Sequence, residues 1–260
     1  KNEAVLLEQA LINYALDICR EEGFSLFATP DLAKDEILEG IGFTPRGKET
    51  QVYSIEDTDL SLIGTAEITM GGYHMNETID ESQLPLKYVA LSHCFRTEAG
   101  SYGRHSAGLY RVHQFTKVEM FAYTQPEKSE EMHKFLKDLE VKIFKGLGVP
   151  FRVVDICTGD LGGPAYRKYD LEAWMTSRNG WGEITSTSDT TDYQARRLNI
   201  KVARKDGQKE FLHMLNGTAI ATSRALIAII ENGQQKDGSV VIPEVLRKYM
   251  PGNIDTIKPK

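Results

Sequence analysis

Apolar residues recur at helical spacing in three segments of this chain. Residues 4–22 place Leu7, Leu11 and Ile18 on one face, and Gly23 is positioned to end the helix. Residues 129–147 repeat the pattern and are followed by Gly148. Residues 218–231 are apolar nearly all round, which is typical of a buried helix. The pattern therefore predicts two amphipathic helices and one helix that lies inside the protein.

Strands are predicted where polar and apolar residues alternate, or where β-branched and aromatic residues cluster, between turn residues. These segments are residues 24–30, 52–57, 60–70, 87–123 (as two strands), 149–156, 165–175 and a hairpin that turns at Asp206-Gly207. Residues 31–51 are predicted as a helix followed by a loop. Within residues 60–70, alternation places Thr65 and Glu67 on one face of a strand, so that both could reach one ligand.

The longest strand-like segment, residues 87–123, is predicted to be a hairpin whose faces can be counted. Period-two alternation puts Arg96 and Glu98 on one face of the first strand, and Phe115 and Glu119 on one face of the second. Such a surface could pair an anion with an arginine, stack a flat ring on an aromatic side chain and hold a cation on a carboxylate. Periodicity alone fits a polar, solvated face as well. The loop between the strands contains Gly100, Gly103, Arg104, His105 and Gly108.

Composition narrows the class of protein but does not reveal the chemistry. The chain has 260 residues, 41% hydrophobic and 26% charged, which is enough for one large domain of an ordinary globular kind. Its net charge of −6 gives no sign of general affinity for nucleic acid. No apolar run approaches the ~20 residues of a membrane span. Because Cys19, Cys94 and Cys157 lie far apart without a CxxC pair, they argue against a disulfide framework or a structural zinc site and favour a reducing compartment.

Two further features of the sequence indicate charged ligands or partners: an arginine in the predicted buried helix and a group of side chains with oxygen donors. Arg224 lies inside the predicted buried helix, where a guanidinium needs an anion, either a protein carboxylate or a phosphate. Glu183, Thr185 and Ser186 precede a run of hydroxyls and acids, and oxygen donors of this kind suit magnesium. The same run would serve equally as a capping loop before the helix-like DYQARRL segment. The glycines of residues 159–163 lack the spacing of a phosphate-binding P-loop.

Four segments, in order along the chain, resemble the class II aminoacyl-tRNA synthetases in the form found in seryl-tRNA synthetases. FRTEAG followed by GLYRVHQFTKVEMF resembles motif 2, and NGTAIATSRALIAIIEN resembles motif 3. TAE at residues 65–67 and DYQARRLNI at residues 192–200 also match that family. Two segments depart from its usual form: GIGFTPRG at residues 40–47 and STSDTTD at residues 186–192, where a cysteine is lacking and Asp189 is unusual.

The resemblance implies an α+β fold of the class II catalytic type, a mainly antiparallel sheet flanked by helices. Residues 4–30 resemble motif 1, which forms the dimer interface in class II enzymes, so we expect a homodimer. We interpret residues 1–260 as one catalytic domain. The N-terminal coiled-coil arm by which seryl enzymes grip tRNA has no counterpart in this sequence, as in a trimmed catalytic domain or an armless form.

The resemblance also implies the roles of individual residues. Arg96 and Arg224 would be catalytic, Arg96 bridging the α-phosphate and the serine carboxylate and Arg224 holding the γ-phosphate. The implied ATP-binding residues are Arg96, Thr97, Glu98, Val112, Phe115, Glu183, Ile184, Thr185, Ser186 and Arg224. The implied serine-binding residues are Thr65, Ala66, Glu67, Arg96, Glu119, Asn216 and Thr218. Magnesium would be held by Glu183 and Ser186, and no zinc is expected.

The expected function is therefore activation of L-serine with ATP and transfer of serine to tRNA(Ser), in the cytoplasm or an organellar matrix, without a membrane partner. One alternative is a synthetase paralogue that acts as a regulatory or structural dimer. Loss of Arg96, Arg224 or Glu119 would favour it, and all three are present. A second alternative is a ligase for another small amino acid or for a carrier protein. The zinc-dependent seryl-like branch fits poorly, because it would need a cysteine ligand and would lack TAE.

Overall fold

The structure is a computed structural model that describes residues 1–43, 50–98 and 108–259. Residues 44–49 and 99–107 contain parts of the GIGFTPRG segment and of the glycine-rich hairpin loop, so the predictions for those parts lie outside the described residues. Over the described part, the α-helices are α1 (Glu3–Glu21), α2 (Asp35–Ile41), α3 (Ala66–Gly72), α4 (Ser129–Leu147), α5 (Tyr193–Leu198), α6 (Thr222–Gly233) and α7 (Glu244–Arg247). None of the described helices is long and apolar enough to cross a membrane.

The strands form one large sheet and three small ones. In chain order they are β1 (Ser25–Ala28), β2 (Leu32–Lys34), β3 (Leu60–Leu62), β4 (Thr78–Asp80), β5 (Leu86–Phe95), β6 (Gln114–Thr124), β7 (Phe151–Asp155), β8 (Arg167–Met175), β9 (Gly180–Asp189), β10 (Lys201–Ala203), β11 (Lys209–Phe211), β12 (His213–Ala221), β13 (Val240–Val241) and β14 (Thr256–Ile257). The large sheet has the order β1-β5-β6-β12-β9-β8-β7. Within this large sheet, β1–β5 is the only parallel pair of its described strands, and the other pairs are antiparallel. The predicted α+β architecture with a mainly antiparallel sheet is confirmed.

The β5–β6 hairpin has the register that the alternation predicts. Residues expected on one face stand directly opposite each other, in the pairs Ala90 with Glu119, Ser92 with Lys117 and Cys94 with Phe115. Side chains of such pairs project to the same side of a sheet. The backbone N–H of Arg96 then donates to the carbonyl of His113 at 3.0 Å, which continues the pairing one residue beyond β5. The hairpin therefore delivers its polar face as a row of side chains on one side of the sheet.

Each side of the large sheet is covered by a separate apolar cluster. On one side, α1, α4 and α6 pack against alternate residues of the hairpin such as Val118, Met120 and Ala122. On the other side, α2, α3 and α5 pack against Phe121 and Tyr123. Because helices cover both sides of the sheet, residues on both faces of β6 are buried. The charged residues of β6, Lys117 and Glu119, lie on the α3 side with Phe121 and Tyr123, so a site that uses them must form beside the second cluster.

Three local predictions are wrong. Residues 60–70 are not one strand: β3 ends at Leu62, and α3 begins after Thr65, whose hydroxyl accepts the Glu67 N–H at 3.2 Å and caps the helix. Residues 52–57 form no strand, only a bridge at Ser54. The helix predicted at 218–231 begins four residues later, because residues 218–221 continue β12 beside β6.

The α3 helix ends in a glycine pair that was a missed signal for close packing. A Cβ atom on Gly71 would lie 2.3 Å from Ile41, a distance that real Cβ atoms essentially never show, and 3.2 Å from the Phe121 ring, which is tighter than most real contacts. Glycine therefore lets α3 approach both α2 and the sheet, at the cost of helix propensity. This close approach carries Glu67 to the polar face of the hairpin.

Candidate active site

A single pocket on the α3 side of the sheet gathers most of the residues predicted to be functional. It is bounded by β6, β9, β12 and the first turns of α3 and α6. Fourteen of the sixteen predicted site residues line it, namely Thr65, Glu67, Arg96, Glu98, Val112, Phe115, Glu119, Glu183, Ile184, Thr185, Ser186, Asn216, Thr218 and Arg224. Segments more than 150 residues apart in the chain therefore meet around one cavity, as in a binding site rather than a solvated sheet face.

Arg96 lies at the point where the hairpin leaves the sheet. Its Nε and Nη2 atoms lie 3.4 and 3.3 Å from the Gly64 carbonyl oxygen. Its guanidinium carbon is 5.3 Å from the centre of the Phe115 ring, within the range of a cation–π contact. No carboxylate among the described residues forms an ion pair with Arg96, so its charge is available to an anion in the pocket.

Arg224 lies at the start of α6, where it faces β9. Its Nη1 atom is 3.1 Å from the Glu183 carboxylate and donates to the Glu183 backbone carbonyl, also at 3.1 Å. The guanidinium carbon lies 4.5 Å from the centre of the Tyr110 ring. Of the two partners that the sequence left open, the structure contains the carboxylate. The Arg224 guanidinium and the Glu183 carboxylate therefore hold opposite charges side by side at this end of the pocket. Glu183 is also a predicted magnesium ligand.

Glu98 is held by a neighbour that the sequence analysis did not single out. Arg111 forms an ion pair with the Glu98 carboxylate, and both side chains line the pocket. Glu98 adopts a left-handed backbone conformation (φ 56°), which is costly for a residue with a side chain. The arginine and the unusual backbone angle together direct this carboxylate into the pocket wall beside Val112 and Phe115.

Glu67 occupies the opposite, inner end of the pocket. Its Oε1 atom accepts two hydrogen bonds, from Gln194 Nε2 at 2.7 Å and from Asn216 Nδ2 at 2.9 Å. Burial and the nearby charge of Glu119 raise the pKa of Glu67 to about 7. The side chain is therefore poised between its neutral and ionised forms at physiological pH.

Glu119 is the second carboxylate at the inner end, and it has a different environment. Its Oε2 atom is 2.6 Å from the Lys117 ammonium and accepts a hydrogen bond from the Thr218 hydroxyl at 3.2 Å. Lys117 and Glu119 are both buried, which makes the pair dependent on each other for charge compensation. The inner end thus contains one carboxylate with a cationic partner and one held by amides.

Two predicted residues do not contribute side chains to the pocket. Ala66 is fully buried in the apolar cluster on the α3 side. The Thr97 hydroxyl donates to the Thr50 carbonyl at 2.6 Å. A third, Thr185, lines the pocket but donates its hydroxyl to the buried Glu140 carboxylate at 2.9 Å, on the α4 side of the sheet.

The donors near Glu183 are consistent with a hard cation. Ser186 stands opposite Asp170 in the β8–β9 pair, while Glu183 carries a partly exposed carboxylate. The set consists of oxygen atoms alone, the donor type that magnesium prefers. Within the described ranges no three His, Cys, Asp or Glu side chains converge on a point, so phosphate or water oxygens would have to complete the coordination.

Several pocket residues were missed by the sequence analysis. Lys117 could have been found, because it shares the alternation of Phe115 and Glu119 on β6. Tyr110, Arg111 and Ser223 also line the pocket, the first two within the motif 2-like segment. Gln194 reaches Glu67 from the DYQARRL segment, and nothing in its local pattern indicates that contact.

Comparison with known proteins places the chain in a family. Residues 51–233 match the family described as tRNA synthetase class II core domain (G, H, P, S and T). A serine–tRNA ligase from Dictyoglomus thermophilum is 64% identical over 260 residues, which is 100% of this chain and 61% of that relative.

Solved structures of seryl-tRNA synthetases are also similar to this chain. The crystal structure of seryl-tRNA synthetase from Pyrococcus horikoshii complexed with ATP superposes with a TM-score of 0.95 at 47% identity, covering 100% of this chain and 58% of that one. The cytoplasmic serine–tRNA ligase from Naegleria fowleri in complex with AMP gives a TM-score of 0.92 at 39% identity, over 100% and 61% of the two chains. The chain therefore spans less than two thirds of the length of these relatives.

Proposed function

We propose, from the premise that this chain belongs to the class II tRNA synthetase core family, that it activates L-serine with ATP to give seryl-adenylate and passes serine to tRNA(Ser). The relatives matched along the whole chain bear the names serine–tRNA ligase and seryl-tRNA synthetase. We further propose that residues 1–260 act as one catalytic domain in a reducing compartment, the cytoplasm or an organellar matrix.

The proposed activation step needs positioning rather than a protein base. An oxygen of the serine carboxylate attacks the α-phosphorus of ATP, the bond to the bridging oxygen breaks, and pyrophosphate leaves. The attacking carboxylate is already ionised, so the barrier comes from bringing two anions together and from charge that builds on the phosphorus oxygens. Arg96, without a carboxylate partner among the described residues and stacked near Phe115, would bridge the two anions.

Arg224 would take the leaving end of the nucleotide. Its present partner is the Glu183 carboxylate at 3.1 Å, and a phosphate oxygen would replace that carboxylate on the guanidinium. Glu183, released toward the phosphates, and Ser186 would then hold Mg²⁺, which supplies neutralisation of phosphate charge when bound. Glu98 and Phe115 would hold the adenine, with Val112 beside it through its backbone. Thr97, Ile184 and Thr185 would then contribute backbone rather than side-chain contacts.

The inner end of the pocket would receive the amino acid. Glu67 has no cationic partner among the described residues, so it would bind the substrate ammonium, while Glu119 is already paired with Lys117. Thr218 and Glu119, joined by a hydrogen bond, would read the hydroxyl of serine. Thr65, Ala66 and Asn216 complete this wall, with Asn216 holding Glu67.

The observation that carries this proposal is the arrangement of charge in one pocket. Arg96 and Arg224 lie at one end, and two carboxylates, the buried Glu119 and the partly buried Glu67, lie at the other. A molecule that is anionic at one end and carries an ammonium group at the other fits this arrangement. The test is ATP–pyrophosphate exchange with each of the twenty amino acids in turn. Exchange with serine alone supports the proposal, and exchange with none of them would favour the regulatory paralogue.

We also propose that the chain forms a two-fold dimer through its motif 1-like region. β1 is an edge strand of the large sheet, and it exposes Leu26, while α1 exposes Val5. An unpaired strand edge with exposed apolar side chains is typically covered in the assembled protein. Sedimentation at micromolar concentration should give the mass of two chains, and a monomer would contradict the proposal.

The partner tRNA should bind this chain weakly. The net charge is −6, and electrostatic attraction supplies much of the affinity of proteins for nucleic acid. We expect salt-sensitive aminoacylation of tRNA(Ser) that is much slower than adenylate formation. Equal rates of the two half-reactions at physiological salt would contradict this expectation.

A further inference from the structure

The DYQARRL segment matches the family but has no role in the proposed chemistry. It forms α5, and its Gln194 is fully buried behind the inner end of the pocket. The Gln194 amide nitrogen donates to Glu67 Oε1 at 2.7 Å and lies 3.2 Å from the Ile41 carbonyl oxygen. A hydrogen bond from a buried amide to an ionised carboxylate is of the stronger, charge-assisted kind.

The donors to Glu67 are neutral, which distinguishes it from Glu119. Asn216 donates to the same Oε1 atom, so two amides fix one oxygen. None of the described Lys, Arg or His side chains forms an ion pair with Glu67, and Arg96 and Lys117 act on it only at longer range. Glu119, in contrast, has the Lys117 ammonium 2.6 Å away. Amides can therefore orient the Glu67 carboxylate while leaving its charge uncompensated.

We propose that Gln194 is a positioning residue that fixes Glu67 from outside the pocket without neutralising it, so that the carboxylate is directed at the ammonium group of the amino-acid substrate. This inference rests on the proposed function and names a specificity-determining contact within it. Other side chains would fail for identifiable reasons. A lysine at this position would supply the countercharge in place of the substrate, a glutamate would repel Glu67, and an apolar residue would leave its oxygen with one donor.

The test compares Gln194→Met with the unaltered chain in ATP–pyrophosphate exchange. Methionine is similar in length and removes both hydrogen bonds. Loss of a hydrogen bond to a charged group corresponds to roughly 10–100-fold in affinity. We therefore expect KM for serine to rise by about that factor while KM for ATP stays within twofold. Inhibition by 3-hydroxypropanoate, which resembles serine without its ammonium group, should change much less than binding of serine. Gln125→Met, at a glutamine outside the pocket that bonds the Glu81 carbonyl, is the matched control.

A double substitution separates positioning from a general structural role. If Gln194 acts through Glu67, the effect of Gln194→Met on KM for serine should disappear when Glu67→Gln is already present. Persistence of the full effect in that background, or equal rises in KM for serine and for ATP, would overturn the inference. Gln194→Asn, which keeps an amide but shortens its reach, gives the same comparison if the methionine variant fails to fold. Absence of serine-dependent exchange in the unaltered chain would instead refute the proposed function.

Discussion

The two ends of the pocket handle charge in opposite ways. At the outer end, Arg224 and Glu183 keep 20% and 46% of their side-chain surface accessible, and the pair can exchange partners with a ligand. At the inner end, Lys117 and Glu119 keep only 8% and 2% of their side-chain surface accessible. Glu119 is paired with Lys117 and also accepts a hydrogen bond from the Thr218 hydroxyl. Exposed ion pairs cost little to break, whereas separating a buried pair leaves an uncompensated charge. The outer end is therefore built to exchange anions and the inner end to keep one fixed arrangement.

The difference extends to how each end is assembled. The outer end comes from the ends of β5 and β6, with one arginine from α6 and one carboxylate from β9. The inner end joins β6, α3, α5 and β12 through side-chain hydrogen bonds that span up to 149 positions of sequence. Substitutions at the outer end should reduce the rate of reaction, and those at the inner end should change which substrate is accepted.

The largest effect is expected for the two arginines of the outer end. Arg96→Ala or Arg224→Ala removes a donor to charge that develops in the transition state, a loss of roughly 10²–10³ in rate. We therefore expect serine-dependent pyrophosphate exchange to fall by that factor at saturating ATP, with the ratio of serine to alanine activation unchanged. Arg152→Ala, which removes an exposed arginine paired with Glu172 on β7–β8, is the control and should have full activity. Full activity in Arg96→Ala would refute the assigned role.

A smaller effect, on selectivity, is expected for Thr218 at the inner end. A site that hydrogen-bonds a hydroxyl rejects the analogue without it by about 10⁴-fold. Thr218→Ala removes one of the two groups that we assign to the hydroxyl and leaves Glu119 with Lys117. One buried hydrogen bond is worth about 1 kcal/mol, so the preference for serine over alanine should fall by roughly fivefold. The measurement is kcat/KM for serine, alanine and threonine, with Thr218→Ser as the control that retains the hydroxyl. An unchanged serine-to-alanine ratio would mean that Thr218 does not read the hydroxyl.

A pH dependence of similar size is expected for kcat/KM with serine as the substrate. The pKa of Glu67 is raised to about 7 by burial and by Glu119, and only its ionised form attracts an ammonium group. The ratio kcat/KM reports the free enzyme, so its value for serine should rise about tenfold between pH 6 and pH 8. Bound ammonium lowers the pKa of the carboxylate, and kcat should stay nearly flat over the same range. A flat kcat/KM profile, or a rise that persists in Glu67→Gln, would contradict the assignment.

The sequence predicts the outer end of the pocket better than the inner end. Alternation along β5 and β6 predicts which residues share a face, because strand pairing converts sequence spacing directly into geometry. The resemblance to motifs 2 and 3 supplies Arg96 and Arg224. Glu67 lines the same pocket as the other predicted residues, but it lies on α3 and not on the predicted strand, because the Thr65 cap and the close approach of Gly71 outweigh the local alternation. Gln194 could not be assigned a contact at all, because its partner is set by how α5 packs and no local pattern encodes that packing.

The last prediction concerns stability rather than activity, and it applies directly behind the inner end, where Glu140 of α4 is completely buried. Its Oε2 atom accepts a hydrogen bond from Thr185 at 2.9 Å, and its Oε1 atom has no partner among the described residues. Burial, together with the charges of Glu119 and Asp170, raises the pKa of Glu140 well above its usual range. The folded chain therefore keeps a proton that the unfolded chain releases once the pH exceeds about 4.5.

This proton gives the stability of the chain a pH dependence of known sign. Because the folded state binds more protons than the unfolded state, the free energy of unfolding falls as pH rises above the unfolded pKa, by at most about 1.4 kcal/mol per pH unit for one group. Glu67 and Asp170, whose pKa values are also raised, add slopes of the same sign, so the informative quantity is the difference between variants. Glu140→Gln keeps the acceptor for Thr185 and carries no titrating proton. Urea unfolding from pH 5 to pH 8 should therefore give a shallower decline for this variant. Glu131→Gln, on the exposed face of the same helix, should retain the slope of the unaltered chain. Equal slopes for Glu140→Gln and the unaltered chain would mean that Glu140 is ionised in the folded state, and the inner end would then rest on a buried charge rather than a buried acid.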